Sequence, residues 1–182
     1  MITATLHPHP NSSCDAIEAF SAQMSRTASE QLNLRYRIDG DIDRLLIPGP
    51  GPGTRQNALW KHTCFEAFAK IGPSVDSASP AYYEFNFAPS GDWAAYRFDG
   101  YRSGMADAGI AAAPAILVSR TRSRLEVDVT FTLPLEIAGT PPVSLTAVIE
   151  DAAGRISYWA VAHAPLKPDF HHDNGFVLRL PP

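Results

Sequence analysis

Apolar and polar residues alternate with period two along most of this chain, and that alternation predicts strands. Leu32, Leu34, Tyr36 and Ile38 alternate with Gln31, Asn33, Arg35 and Arg37. Asp39-Gly40-Asp41 then turns the chain and Leu45 to Ile47 starts a return strand, which reads as a hairpin. Thr63 to Lys70 is a short strand with both faces partly apolar, as in mid-sheet. Pro114 to Ser119 is another apolar run, and Leu125, Val127, Val129 and Phe131 mark the cleanest strand. Leu145 to Ile149, Ile156 to Val161 and Phe176 to Leu180 complete the set. Ser12 to Ser29 fits a strand, but Ala16, Phe20, Gln23 and Met24 also sit near helical spacing. The 16 prolines exclude long helices. Pro48-Gly49-Pro50-Gly51-Pro52-Gly53 cannot join a central ladder and reads as an exposed loop. Roughly nine to eleven short strands predict an all-β fold, a single-domain antiparallel β-sandwich over residues 1–182.

The segment Tyr82 to Phe98 is the most informative. Two alternating runs flank Pro89-Ser90-Gly91-Asp92, whose residues suit a turn. Closing the hairpin on those four residues sets Ala88 opposite Trp93, Asn86 opposite Ala95 and Glu84 opposite Arg97. Tyr83, Phe85, Phe87, Ala94, Tyr96 and Phe98 then share the core face. Glu84, Asn86, Trp93 and Arg97 share the other, a surface suited to grip a polar ligand with an apolar side. A slip of one residue reverses that sorting.

Composition adds bounds. The 182 residues are 45% hydrophobic and 19% charged, which fits a globular chain. A net charge of -4 excludes a basic nucleic-acid footprint, and the cluster Arg120-Thr121-Arg122-Ser123-Arg124 reads as a solvated turn. Two cysteines, Cys14 and Cys64, cannot build a disulfide framework, and Cys64 reads as a small buried residue. The first ten residues carry no Lys or Arg and no secretory apolar stretch. The longest apolar run, Ala108 to Val118, is too short for a membrane span and is broken by Pro114. A cytoplasmic protein is the expectation, with no membrane partner.

Several motifs resemble the DOMON-like family, which is related in fold to the family-nine carbohydrate-binding modules. Trp60 to Phe68 looks like the family's Trp-x-x-x-x-x-Glu-x-Phe strand, and Tyr82 to Trp93 is similar to its YYEFN…P.G.W strand pair. Phe131-Thr132-Leu133-Pro134-Leu135 and the Phe170-His171-His172…Gly175-Phe176 closure resemble further elements in the same order. The resemblance implies a β-sandwich that holds a ligand. Relatives bind sugars, some with structural calcium, and others hold haem through a Met/His pair, which nominates Met105 and His163 here. This chain departs from the sugar-binding relatives in showing no secretion signal and no attached catalytic domain.

A sugar needs aromatic planes for its ring face and charged or amide groups for its hydroxyls. Trp60, Trp93 and Trp159 are the available platforms, and Glu66, Glu84, Asn86 and Arg97 the polar groups. Tyr101, Arg102 and the segment from His163 to His172 are expected to form the rim. The expected function is a non-catalytic module for a carbohydrate or sugar-containing small molecule, with no required cofactor. A haem module, a structural or interaction protein and a glycoside-acting enzyme are the alternatives. The last would pair Glu66 with Glu84 at ~5–9 Å, although Arg97 beside Glu84 is expected to lower its pKa and oppose an acid role. For metal, His163, Asp169, His171, His172 and Asp173 are near one another in sequence, but adjacent histidines on an extended segment face opposite ways.

Overall fold

Two antiparallel sheets take up the alternating segments. The computed structural model describes residues 1–27, 31–71 and 80–182, so the last two positions of the Ser12 to Ser29 segment lie outside the described residues. The strands are β1 (Ile2–Thr5), β2 (His7–Pro8), β3 (Ile17–Arg26), β4 (Gln31–Gly40), β5 (Cys64–Lys70), β6 (Tyr82–Phe87), β7 (Trp93–Phe98), β8 (Ala106–Asp107), β9 (Ala115–Arg120), β10 (Arg124–Thr132), β11 (Pro142–Glu150), β12 (Ile156–Ala160) and β13 (Leu178–Arg179). One sheet runs β1-β3-β4-β10-β9; the other runs β2-β12-β11-β5-β6-β7-β8, with β13 added on β11. The all-β sandwich expected from the alternation is therefore the observed architecture.

Inward residues of both sheets form one cluster. Leu34, Tyr36 and Ile38 of β4 and Val127, Val129 and Phe131 of β10 meet Phe65 and Ala67 of β5 and Phe85 and Phe87 of β6. Phe65 packs against Phe20 and Tyr36, and the Tyr36 hydroxyl crosses the core to donate to the Glu66 carbonyl at 2.7 Å. That bond gives the buried phenol a partner and ties one sheet to the other.

One open reading is decided and two expectations need correction. Within Ser12 to Ser29, Ile17–Arg26 is strand: β3 buries Phe20, Ala22 and Met24 at period two, and pairing with β1 and β4 decides what helical spacing left open. The hairpin from Leu32 to Ile47 does not form. β4 pairs with β3 and β10, while Ile42–Arg44 makes a 3-10 turn that buries Ile42. Leu45 is buried too, at a single bridge to Asp151, so the chain there crosses to the second sheet. The second correction is the β6–β7 register. Phe87 opposes Trp93, Asn86 opposes Ala94 and Glu84 opposes Tyr96, so the loop holds five residues, Ala88 to Asp92. Gly91 N–H donates to the Ala88 carbonyl at 2.9 Å, Ala88 N–H donates to Asp92 at 2.9 Å, and Gly91 takes φ +92°. The left-handed glycine adds one residue to a turn that could close without it. β7 is thereby reversed: Trp93 and Ala95 join the inter-sheet core, and Ala94, Tyr96 and Phe98 join Glu84 on the outer face.

The second sheet is covered on its outer face as well. Phe68, Tyr82, Ala94, Tyr96 and Phe98 form a second apolar cluster there. Trp60, from the 3-10 turn Leu59–Lys61, and Phe170 and Phe176, from the C-terminal segment, lie on it. The Pro-Gly run is exposed as expected, and its far end docks on the hairpin tip: Gly51 N–H donates to the Ser90 carbonyl at 2.7 Å, and Thr54 N–H to Asp92 Oδ1 at 2.9 Å. Among the described residues, no helix is long and apolar enough to cross a membrane.

Phe65→Ala is expected to lower stability by about 3–5 kcal/mol in urea unfolding, because the cavity lies between the sheets. Leu117→Ala on β9, where the side chain is 71% exposed, is expected to change it by no more than about 0.5 kcal/mol.

Candidate functional site

A cleft of about 340 Å³ opens between the outer face of the second sheet and the C-terminal segment. Its floor comes from period-two alternation on neighbouring strands: Glu66 and Phe68 on β5, Glu84 on β6, Phe98 on β7, Val148 on β11 and Tyr158 on β12. Trp60, Arg102, Met105 and the run Pro168 to His171 form the walls. The volume and the mix of aromatic walls with few polar groups suit a small ligand.

Two carboxyl groups lie in the floor. Glu66 is 2% exposed and Glu84 4%. Glu66 opposes Asn86, and Phe68 opposes Glu84, so the two glutamates are diagonal neighbours on one face. Asn86 Nδ2 donates to Glu84 Oε1 at 2.7 Å. Thr146 on β11 donates to Glu66 Oε2 at 3.3 Å, while Glu66 Oε1 is buried without a protein partner. Burial pushes the Glu84 carboxyl up to about 7, against the Asn86 hydrogen bond and the Arg102 charge. Burial and then the Glu84 charge push Glu66 well above the carboxylate range. Cys64, buried beside them on β5, has its thiol pushed up by burial and by Glu66, which keeps it unreactive.

The C-terminal wall is fixed by charge. The Arg102 guanidinium donates to Asp169 Oδ1 through Nη2 at 2.7 Å and Nε at 3.2 Å, and the Tyr101 hydroxyl donates to Oδ2. Burial alone would raise the Asp169 carboxyl, but these bonds hold it below its ordinary value. Asp169 Oδ1 also accepts from His171 N–H at 3.1 Å, which sets the ring over Phe68 and Tyr82. The Tyr82 hydroxyl meets His171 Nδ1 at 2.7 Å and accepts from Arg102 N–H at 3.3 Å, so its proton points to Nδ1. His171 Nε2 then carries the ring hydrogen and faces Glu84 Oε2 at 3.7 Å. Burial, reinforced by Arg102, lowers the imidazole to about 4, so it is neutral at pH 7 and this contact is no ion pair. Among the described residues, the non-glycine positions at positive φ are Ala58, at +62°, and Arg102, at +51°. One precedes Trp60 and the other lines the cleft, so backbone strain is held at the site.

Of the residues singled out in the sequence, Trp60, Glu66, Glu84 and Arg102 line the cleft. Asn86 lies beneath it, and Tyr101 reaches its wall through Asp169. Trp93 and Trp159 do not reach it; both belong to the inter-sheet core, and Trp159 packs on Phe20. Arg97 is not beside Glu84. The five-residue loop turns it to the other face, where it pairs with Asp99 at 2.5 Å and Glu136 at 3.2 Å. The Glu84 carboxyl is accordingly raised, not lowered. His163 is not among the lining residues: Nε2 faces the His7 carbonyl at 2.7 Å, and the ring stands edge-on to His9. Met105 lines the cleft and His163 does not, its ring lying against Phe170 of the wall, so the nominated haem pair does not face one cavity. His172 accepts from Asn174 N–H and Asp173 pairs with Lys70, so the C-terminal acids and imidazoles diverge. Among the described residues, no group of three or more His, Cys, Asp or Glu is placed to hold a metal ion.

Phe68, Phe98, Val148 and Tyr158 were not singled out, because each reads as ordinary strand filling. Alternation from Glu66 reaches Phe68, and alternation from Glu84 reaches Tyr82; only the corrected register brings Phe98 opposite Tyr82.

The raised Glu84 carboxyl makes a pH prediction. Folded Glu84 holds its proton up to about 7, while the unfolded chain releases it near 4.5. Between those values the folded state binds more proton, so this contribution falls as pH rises. Relative to wild type, Glu84→Gln is therefore expected to gain stability from about pH 5 to pH 8, by on the order of 3 kcal/mol, in paired urea titrations. An unchanging difference would mean that the carboxyl is not held neutral. Comparison with family models, curated proteins and solved structures returns no match for this chain.

Proposed function

We propose that the cleft is the ligand site of a non-catalytic binding module, and that the ligand is a carbohydrate or sugar-containing small molecule. The observation that carries this reading is Trp60 on one wall of a cleft floored by two buried carboxyl groups. An indole offers a plane for an apolar ring face. Glu66, Glu84 and Arg102 offer acceptors and donors to a fringe of hydroxyls, and Glu66 Oε1 has none of its own. Phe68, Phe98 and Phe170 exclude water from the same space, which strengthens those bonds. The sandwich is also the architecture that the DOMON-like resemblance implies. Cys14 and Cys64 are free thiols, which suits a reducing compartment, and we place the module in the cytoplasm.

Glycoside hydrolysis is a second reading, favoured by two buried carboxyl groups on the floor of one cleft, both raised by burial. It requires turnover of chromogenic glycosides that Glu66→Gln or Glu84→Gln removes; a wild type without turnover leaves binding alone.

A panel of neutral mono- and disaccharides is expected to raise the melting temperature and to change indole fluorescence. Trp60→Ala is expected to weaken that binding by roughly tenfold, with the fold intact by circular dichroism. If no sugar shifts the melting curve, or if Trp60→Ala binds as wild type does, the carbohydrate reading is wrong.

A further inference from the structure

Once its carboxyl groups ionise, the polar floor of the cleft is short of donors. Glu66 Oε1 is buried and unpartnered, and Glu84 Oε2 has only the distant His171 Nε2–H. The remaining neighbours do not close the deficit. Thr146 is spent on Glu66 Oε2, Asn86 on Glu84 Oε1, and the Cys64 Sγ–H points to Asn86. The Arg102 guanidinium, a cation in the walls, is engaged by Asp169. The apolar walls are aromatic on several sides, with Trp60, Phe98 and Phe170 among them. A hydroxyl brings one hydrogen to such a floor; an ammonium group brings three, together with a charge that ring faces attract.

We propose that the group recognised by Glu66 and Glu84 is a protonated amine, so that the ligand is an amino sugar or another amine-bearing ring. This rests on the cleft being the ligand site proposed above. Two carboxyl groups this close and this buried resist ionising together when the cleft is empty. A cation between them compensates one carboxylate while the other keeps its proton. The amine enters already protonated, and the carboxyl group that ionises passes its proton to solvent. Binding thus releases one proton and leaves the filled cleft without net charge, whereas a neutral sugar releases none.

The experiment compares D-glucosamine, D-glucose, N-acetyl-D-glucosamine and cyclohexylammonium on the full chain. Affinity is followed calorimetrically, and proton release by glass electrode in unbuffered solution at about pH 6, below the value of about 7 to which burial raises Glu84. Glucosamine is expected to bind at least roughly tenfold tighter than glucose or the acetylated sugar, releasing about one proton per ligand. Glu84→Gln, which keeps the shape and removes the more readily ionised carboxyl group, is expected to abolish the release and the preference. Proton release by the wild type is an independent readout should that variant fold poorly. Equal affinities without proton release overturn the amine inference and leave the sugar reading standing. Binding of both amines alike, with no binding of the neutral sugars, supports the amine inference and removes the sugar reading. No binding by any of the four overturns both.

Discussion

The second sheet buries both of its faces, and the rest of the molecule follows from that constraint. A sandwich needs only one buried face per sheet. Here the C-terminal segment and the turn at Trp60 cover the other face as well, over Phe68, Tyr82, Tyr96 and Phe98. Polar residues at alternate positions of β5 and β6, which would face water in a simple sandwich, are thereby sealed. Glu66 and Glu84 become buried carboxyl groups, and Asn86 becomes their support. The cleft is the part of this second interface that the cover leaves open.

The cover is held by charge as well as by the apolar packing of Phe170 and Phe176. Asp169 gathers Arg102, Tyr101 and the His171 backbone at one carboxylate. Because Arg102 sits in a left-handed turn at φ +51°, the guanidinium is presented to Asp169 from a fixed direction. Tyr82 and His171 then pass that order on to Glu84 through a set hydrogen-bond polarity. A neutral imidazole, a protonated carboxyl group and an amide can sit together without net charge. The paired Arg102 and Asp169 compensate each other.

Strand content and the sandwich were legible in the sequence, because period two survives in the long strands. The motif around Tyr82 to Trp93 pointed to a hairpin that forms, and Trp60, Glu66, Glu84 and Arg102 do line the cleft. Trp93, Trp159 and Arg97 do not, and the cause is local for two of them. Pro-Ser-Gly-Asp closes equally well with four or five loop residues, and Gly91 at positive φ took the longer form. One residue of slip moved Trp93 into the core and Arg97 away from Glu84. Trp159 lies opposite Ala147 on an inward position of β12, which no local signal distinguished from an outward one.

What the sequence determined by itself is which residues alternate, and so where the long strands run, since side-chain direction along a strand is a property of the backbone. Tertiary structure decided which face of each strand meets protein and which meets solvent. That choice depends on what packs above the sheet, and the covering segment, Pro168 to Phe176, lies far along the chain from Glu66. Only their docking turned two ordinary strand glutamates into a buried pair, because a carboxyl group's chemistry is set by the water that its neighbours remove.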